Sequence, residues 1–328
     1  MFYNEDCIKC AKKRLEDNSV DLIITDPPYG INGEKLDKHY NRDEDNVIDG
    51  YIEVPEKEYP EFSRNWINEA VRVLKPGGSM YVVSGYTHLR HILNALSETK
   101  LVERNHIIWR YNFGVYTSQK YISSHYHILY YVKPGKKPTF NTNAFFSDSE
   151  KNENGGSKNY LDREDVWIIN REYKPGQIKN KNELPKTLLA KMILYSSNPD
   201  DMVCDFFLGS FSTAKIAIGL GRNACGFELN KKAYKYQMSR MKDIEKGLLL
   251  NDFRDVPKNL FINKGKPLTE VEINAIIDDY TKMVKRGISK KKAIDVLSEK
   301  HKRGYWSLLN IIDKNFIKEE VVVKTLFD

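Results

Sequence analysis

Along the first 250 residues the hydrophobic and polar positions switch between two periods. Continuous apolar runs bounded by turn residues read as interior strands, among them Asp21-Leu22-Ile23-Ile24-Thr25, Ser79-Met80-Tyr81-Val82-Val83 and Met202-Val203-Cys204-Asp205. Between them, apolar residues recur at helical spacing. Helices are predicted from Trp66 to Leu74 (ended by Lys75-Pro76-Gly77-Gly78), His88 to Leu96, Leu184 to Ser196, Ser212 to Leu220 and Tyr234 to Leu249. A short strand at Met1–Glu5 and a helix through Ala11 to Leu15 open the chain. Asn105–Tyr111 and His125–Val132 add two β-like runs, and Val166–Ile169 a short one. Ala224–Glu228 completes a βαβ unit that begins at Met202. The alternation predicts an α/β fold, doubly wound about a mixed sheet.

Three stretches lack either period. Glu34 to Tyr59 is polar and irregular, as a functional or mobile loop would be. Lys133 to Lys158 turns rich in Gly, Asn, Ser, Lys and Phe, and Phe253 to Lys266 reads as a linker. Beyond it, two or three lysine-rich helices run from Leu268 to Lys314. The expected division is therefore a large domain over residues 1–255 and a helical C-terminal extension over 256–328.

Composition narrows the classes. At 328 residues the chain can bury one large core and carry an appendage, and its net charge of +7 permits a polyanionic partner without demanding one. No apolar run is long enough to cross a membrane and no signal-peptide pattern is seen, so the expected location is the cytoplasm. Four scattered cysteines do not make a disulfide framework. Cys7-x-x-Cys10 has zinc or redox spacing but no second ligand pair, and the seven histidines form no ligand spacing, so no metal is expected.

The candidate chemistry starts at Asp26-Pro27-Pro28-Tyr29, which closes a predicted interior strand. In open α/β sheets ligands bind at that end of the strands. Neither proline has an N–H and each restrains its predecessor, so the turn is stiff. It offers the Asp26 carboxylate and a prolyl carbonyl as a pair of acceptors beside an aromatic face, which suits an exocyclic NH2 on a planar ring. A plain Pro-Pro turn ending a strand accounts for the same four residues equally well. A second constellation supplies the context. Asp205 ends its strand, Gly209-Ser210 leads into a helix, and Glu228 closes the next strand, where an acid can accept from ribose hydroxyls. No phosphate-cradling Gly-x-x-x-x-Gly-Lys is present, and Gly219-x-Gly221 lies between helix and strand, the reverse of a dinucleotide fingerprint. A cationic nucleoside such as S-adenosyl-L-methionine fits better than NAD.

Asp26-Pro27-Pro28-Tyr29 followed by Asp205-Phe206-Phe207-Leu208-Gly209-Ser210 resembles the S-adenosylmethionine-dependent DNA amino-methyltransferases in their permuted, β-type order. The resemblance runs from Met1 to about Asp243. It implies the methyltransferase-type doubly wound sheet with an inserted target-recognition region, here residues 112–181, and a catalytic role for Asp26, Pro27 and Tyr29. It assigns Asp205, Phe207, Gly209 and Ser210 to the methionine side of the cofactor and Glu228 to its ribose. Asp6 and Cys7 match a Gly-Asp-Cys element near the adenine, and Lys186 a Lys-Pro element ahead of the cofactor helix. Phe211 departs from the pattern: it stands where a second glycine is usual, and its ring would crowd the cofactor or cap it.

The implied activity is methylation of adenine N6 in duplex DNA, with the base flipped into the pocket. Cytosine N4 is the nearest alternative, and the family's Ser-Pro-Pro-Tyr for cytosine makes Asp26 lean to adenine. A catalytically silent DNA-binding protein is the alternative that Phe211 raises. Phosphate contacts are expected from Lys133, Lys136, Lys137, Lys174, Lys179 and Lys181, and base contacts from Tyr116, Gln119, Asn141 and Asn143. Each of these also reads as a solvated loop residue. The C-terminal helices suit a helix-turn-helix contact, a dimerisation arm or a plain solvated pair, which leaves a homodimer as a candidate partner, and the resemblance adds a cognate restriction endonuclease.

Overall fold

Strand β2 (Val20–Thr25) is buried on both faces, and the fold is built outward from it. The computed structural model describes residues 1–28, 54–112, 114, 116, 118–171, 183–250, 268–301, 303 and 307–315. Two compact units divide the chain, Met1–Val256 and Pro257–Asp328.

In the first unit the elements run β1 (Phe2–Tyr3), α1 (Cys7–Arg14), β2, α2 (Tyr59–Val73), β3 (Leu74–Ser84), α3 (Leu89–Ser97), β4 (Val102–Arg110), β5 (His125–Val132), α4 (Lys158–Asp162), β6 (Val166–Ile168), α5 (Lys186–Ser196), β7 (Met202–Asp205), α6 (Ser212–Gly219), β8 (Asn223–Phe227) and α7 (Lys231–Met241). The strands form one sheet of order β1-β8-β7-β2-β3-β5-β4-β6. From β1 to β3 every pairing is parallel, whereas β5 is antiparallel to both β3 and β4. Alternation along β2 sends Leu22 and Ile24 to one face and Ile23 to the other, and the register shift between Val20 and Leu22 puts Val20 on the Ile23 face. On the first face α5 and α6 cover the sheet with Leu188, Leu189, Met192, Ile193, Ala214 and Ala217. On the second, α1, α2 and α3 do so with Cys10, Trp66, Ile67, Ala70, Ile92 and Leu96. Strands covered on both faces carry near-continuous apolar runs, which is the pattern the sequence shows.

Three element boundaries differ from expectation. Helix α2 begins at Tyr59, seven residues before Trp66, because the buried stripe Tyr59, Ser63, Trp66, Ile67, Ala70, Val73 extends into the polar stretch and a proline near the first position suits a helix start. The Lys75-Pro76-Gly77-Gly78 segment lies within β3, with a register shift opposite Val20 and Leu22, so the helix passes directly into a strand. Helix α7 stops at Met241 instead of Leu249: the backbone of Gly247 and Leu249 donates instead to the carbonyls of Ile218 and Gly219 at the end of α6.

The second unit holds α8 (Glu270–Lys285), α9 (Lys290–His301) and a helical segment at 307–315. Thr269 and Glu272 form a reciprocal capping box at the start of α8. Ile276, Tyr280, Ile294, Leu297, Leu308 and Ile312 make its core. No helix among the described residues is long and apolar enough to cross a membrane.

Candidate active site

Because β1, β8, β7, β2 and β3 are parallel, their C-terminal ends share one edge of the sheet. Four acids separated in sequence meet along it. Asp6 follows β1, Glu228 follows β8, Asp205 ends β7 and Asp26 follows β2. At Asp6, Asp205 and Glu228 the carboxylate accepts from backbone N–H groups of the helix or turns beside it.

Asp205 is 5% exposed. Its Oδ1 accepts from the Thr25 hydroxyl at 3.0 Å and from the Phe207 N–H at 3.0 Å. Burial pushes its pKa up to about 6, against the pull of the Phe207 N–H and the Thr213 and Thr25 hydroxyls. Glu228 accepts from the Gly209 N–H at 2.8 Å on one oxygen and from the Asn230 N–H at 2.7 Å on the other. Burial raises its pKa as well, and the neighbouring Asp205 adds to the rise. Gly209 itself sits at φ +49°, a conformation that favours glycine. Behind the turn, a Cβ on Gly226 would come within 2.4 Å of the Asp205 carbonyl oxygen, so only glycine lets β7 and β8 approach this closely. Asp6 caps α1 by accepting from the Lys9 N–H at 3.0 Å. Cys7 opens that helix with its thiol buried and its pKa raised by burial. Lys186 heads α5, which runs back from this edge to feed β7.

Asp26 is half-buried and Pro27 buried, directly beyond Thr25. The Pro28 carbonyl accepts a hydrogen bond of 2.7 Å from the Tyr59 hydroxyl. Thr25 and Tyr59 are the site residues that sequence reasoning missed. The stripe of α2 is a signal that could have found Tyr59, whereas Thr25 only reads as another strand residue. Phe211 takes up the left-handed conformation, φ +61°, that its usual glycine would occupy. Its ring is fully buried in the core cluster, between Phe2 (5.3 Å) and Tyr234 (6.0 Å). Tyr29 and Lys179 lie outside the described residues, as do Lys174 and Lys181.

The expected DNA contacts separate. The loop joining β4 to β5 stands at the same edge as Asp26, and on it Gln119, Tyr116 and Tyr121 are exposed, Tyr121 to 98%. The Lys120 ammonium lies over the ring of the exposed Tyr86, 5.8 Å from its centroid. Lys136 and Lys137, by contrast, pack their backbone against Gly77, near the beginning of β3 and roughly 23 Å along the strand from its end on the Asp26 side. The antiparallel direction of β5 carries them to the edge opposite Asp26. The Asn141 amide donates to the carbonyls of Leu194 (2.9 Å) and Ser197 (3.0 Å), closing the end of α5. Lys133 likewise donates to the Val71 and Leu74 carbonyls (2.7 Å each) at the end of α2. Among the described residues no cluster of His, Cys, Asp or Glu has metal-holding geometry.

This arrangement can hold a nucleoside bearing a positive group. The two carboxylates bury their charge at a cost that a cation would relieve, and Glu228 keeps lone pairs for hydroxyls beyond its two N–H donors. Asp26 and the proline turn lie at the same sheet edge, at the end of the neighbouring strand.

Comparison with known proteins agrees with this geometry. The family described as DNA methylase (N6_N4_Mtase) matches residues 20–239. The Type II methyltransferase M.BamHI of Bacillus amyloliquefaciens is 33% identical over 296 residues, covering 85% of this chain, which in turn spans 66% of that protein's length. The DNA adenine methyltransferase YhdJ of Escherichia coli (strain K12) is 32% identical over 285 residues, 80% of this chain and 90% of YhdJ. Among solved structures, the M1.HpyAVI–SAM complex shares the fold with a TM-score of 0.52 at 23% identity, covering 74% of this chain and 98% of that one.

Proposed function

The chain belongs to the DNA methylase family, and from that premise we propose that it transfers a methyl group from S-adenosyl-L-methionine to the N6 amine of an adenine flipped out of duplex DNA. The observation that carries the proposal is the Thr25–Asp205 hydrogen bond of 3.0 Å, which ties the strand leading to Asp26 to the acid of the cofactor turn. Methyl-accepting and cofactor-binding groups are thereby held on neighbouring strands, as in-line transfer needs.

S-adenosyl-L-methionine supplies a sulfonium-activated methyl group. Asp205 is suited to its ammonium, Glu228 to its ribose hydroxyls, Asp6 to its adenine, and Phe207, Gly209 and Ser210 to its methionine backbone, with Lys186 and the backbone at Cys7 flanking. The Asp26 carboxylate and the Pro27 carbonyl accept the two hydrogens of the target NH2. That geometry makes the nitrogen pyramidal and turns its lone pair toward the methyl. Positive charge grows on nitrogen in the transition state, so acceptors aimed there stabilise it selectively. Asp26 is also the group placed to receive the proton that nitrogen sheds. Tyr29 replaces the stacking that the flipped base loses. Placing two reactants in this way is worth up to roughly 7–11 kcal/mol.

The target duplex faces the edge that carries Tyr86, Tyr116, Gln119, Lys120 and Tyr121, whose exposed rings and cation suit bases and phosphates. Residues 112–181 remain the proposed recognition region, with its contacts drawn from the β4–β5 loop.

Incubating the protein with DNA and S-adenosyl-L-methionine, followed by mass spectrometry of the nucleosides, is the test. N6-methyladenine is the expected product. N4-methylcytosine alone would move the assignment to the other base, and neither product would leave the silent DNA-binding reading.

A further inference from the structure

Helix α2 touches both halves of the active site through one face. Tyr59, Phe62 and Trp66 follow one another at i, i+3 and i+7, so they share a side of the helix. At one end the Tyr59 hydroxyl donates to the Pro28 carbonyl at 2.7 Å. Further along, the Phe62 ring lies 5.8 Å from Phe207, and Trp66 lies 5.5 Å from Phe207, edge to face, and 6.3 Å from Phe206. Phe206 and Phe207 are the residues next to Asp205 in the cofactor turn. The Tyr59 ring is itself fixed: it is 1% exposed, stacks on His88 at 4.4 Å and packs against Phe62 at 5.8 Å. A tyrosine in an apolar seat keeps its hydroxyl where a partner exists, since burying it unpaired is costly.

We propose that Tyr59 is a positioning residue: through α2 it locks the Asp26-Pro27-Pro28 turn at a fixed separation from the Phe206-Phe207 turn, and so sets the approach of amine to methyl. This rests on the function proposed above. Prolines restrain φ but leave the carbonyl plane at Pro28 free to rock, and the hydrogen bond removes that freedom. The rigid helix carries the constraint to the cofactor side, because aromatic contacts in a close-packed layer transmit small displacements. Nothing in this role requires Tyr59 to touch either reactant, so its loss is expected in the chemical step and not in cofactor binding.

Tyr59→Phe keeps the ring and deletes only the donor. In single turnover its methylation rate is expected to fall about ten- to hundredfold while the dissociation constant for S-adenosyl-L-methionine stays within about twofold of the parent. With 13C-carbonyl proline and 15N tyrosine labels the single Pro-Tyr step of the sequence gives one signal, that of the Pro28 carbonyl, which should shift upfield and broaden at the same time as the Tyr59 donor is lost. A variant that methylates at the parent rate, or that loses rate and cofactor affinity together, overturns the proposal. If the parent itself transfers no methyl group, the proposed function falls, and the carbonyl signal still decides: an unchanged Pro28 carbonyl signal in Tyr59→Phe rejects the lock, and a shifted, broadened one supports it. Should Tyr59→Phe fail to fold, Phe62→Leu keeps the hydroxyl but loosens the seat on Phe207. It is expected to move both readouts in the same direction, and no change in either overturns the proposal.

Discussion

The Thr25 hydroxyl donates to Asp205 Oδ1 at 3.0 Å, joining two buried side chains 180 residues apart in sequence. It is a direct bond between the strand that delivers Asp26 and the strand that delivers the proposed cofactor acid. Thr25→Val removes the donor with little change of shape. The expected cost is about 1–3 kcal/mol, since the carboxylate loses a partner it cannot replace inside the sheet. The Asp205 pKa should rise further, and cofactor affinity at neutral pH should fall. Chemical denaturation and calorimetry with S-adenosyl-L-methionine check the two effects separately.

Asp205 also makes stability depend on pH. Its folded pKa, about 6, lies above the usual carboxylate value of 3.8, so between these the folded state holds more protons than the unfolded one. Stability from this group is therefore greatest at low pH, declines as pH rises from about 4 to 6, and is flat above. Asp205→Asn should remove this decline and stabilise the cofactor-free protein at pH 7 by on the order of 2–3 kcal/mol. The same variant should bind S-adenosyl-L-methionine poorly, because the cation loses its counter-charge. In the parent, affinity should weaken as pH drops below about 6, measurable by titration across a pH series.

Phe211→Gly restores the residue usual for the left-handed position. Relief of backbone strain is worth about 1–2 kcal/mol, whereas losing a fully buried ring costs about 3–5 kcal/mol. The burial term wins, so the variant should be less stable by about 1–4 kcal/mol in urea. Cofactor affinity should be retained, since the ring packs between Phe2 and Tyr234. A rise in stability would show that the ring is strained and not packed.

Asp26→Ala removes the acceptor that shapes the amine. Single-turnover methylation should slow by ~10²-fold or more, with cofactor and DNA binding largely intact. Equal rates in the variant and the parent would place the chemistry elsewhere.

The two lysine groups give opposite expectations for DNA. Lys120→Ala, at the catalytic edge, should weaken binding to all sequences and reduce the slope of log affinity against log salt by about 1. Lys136→Ala combined with Lys137→Ala, at the opposite edge, should leave both unchanged. Fluorescence anisotropy over a salt series separates the two outcomes.

What the sequence determined by itself were the local features. The β-branched runs at Ile23-Ile24 and Val82-Val83 marked interior strands, because a strand covered on both faces cannot alternate with polar residues. The rigidity of Asp26-Pro27-Pro28 and the turn at Gly209-Ser210 are properties of proline and glycine themselves, so both motifs and their order were legible. The start of α2 was half legible: the stripe from Tyr59 was present, but the polar stretch before it hid the helix boundary. Only the tertiary structure decided which groups became partners. Sheet order set Thr25 beside Asp205 and brought Asp6 and Glu228 to the same edge. The antiparallel course of β5 carried Lys136 and Lys137 away from that edge, although their charge alone suggested phosphate. Asn141 and Lys133 look like surface polar residues in the sequence, yet orphan carbonyls at helix ends claimed them. Whether Phe211 filled the crevice or the core depended on the space between Phe2 and Tyr234, residues 2 and 234 positions along the chain, which no local pattern encodes. Backbone preference acts within a few residues and is written locally, whereas the partner of a buried polar or aromatic side chain is fixed by strand order and packing.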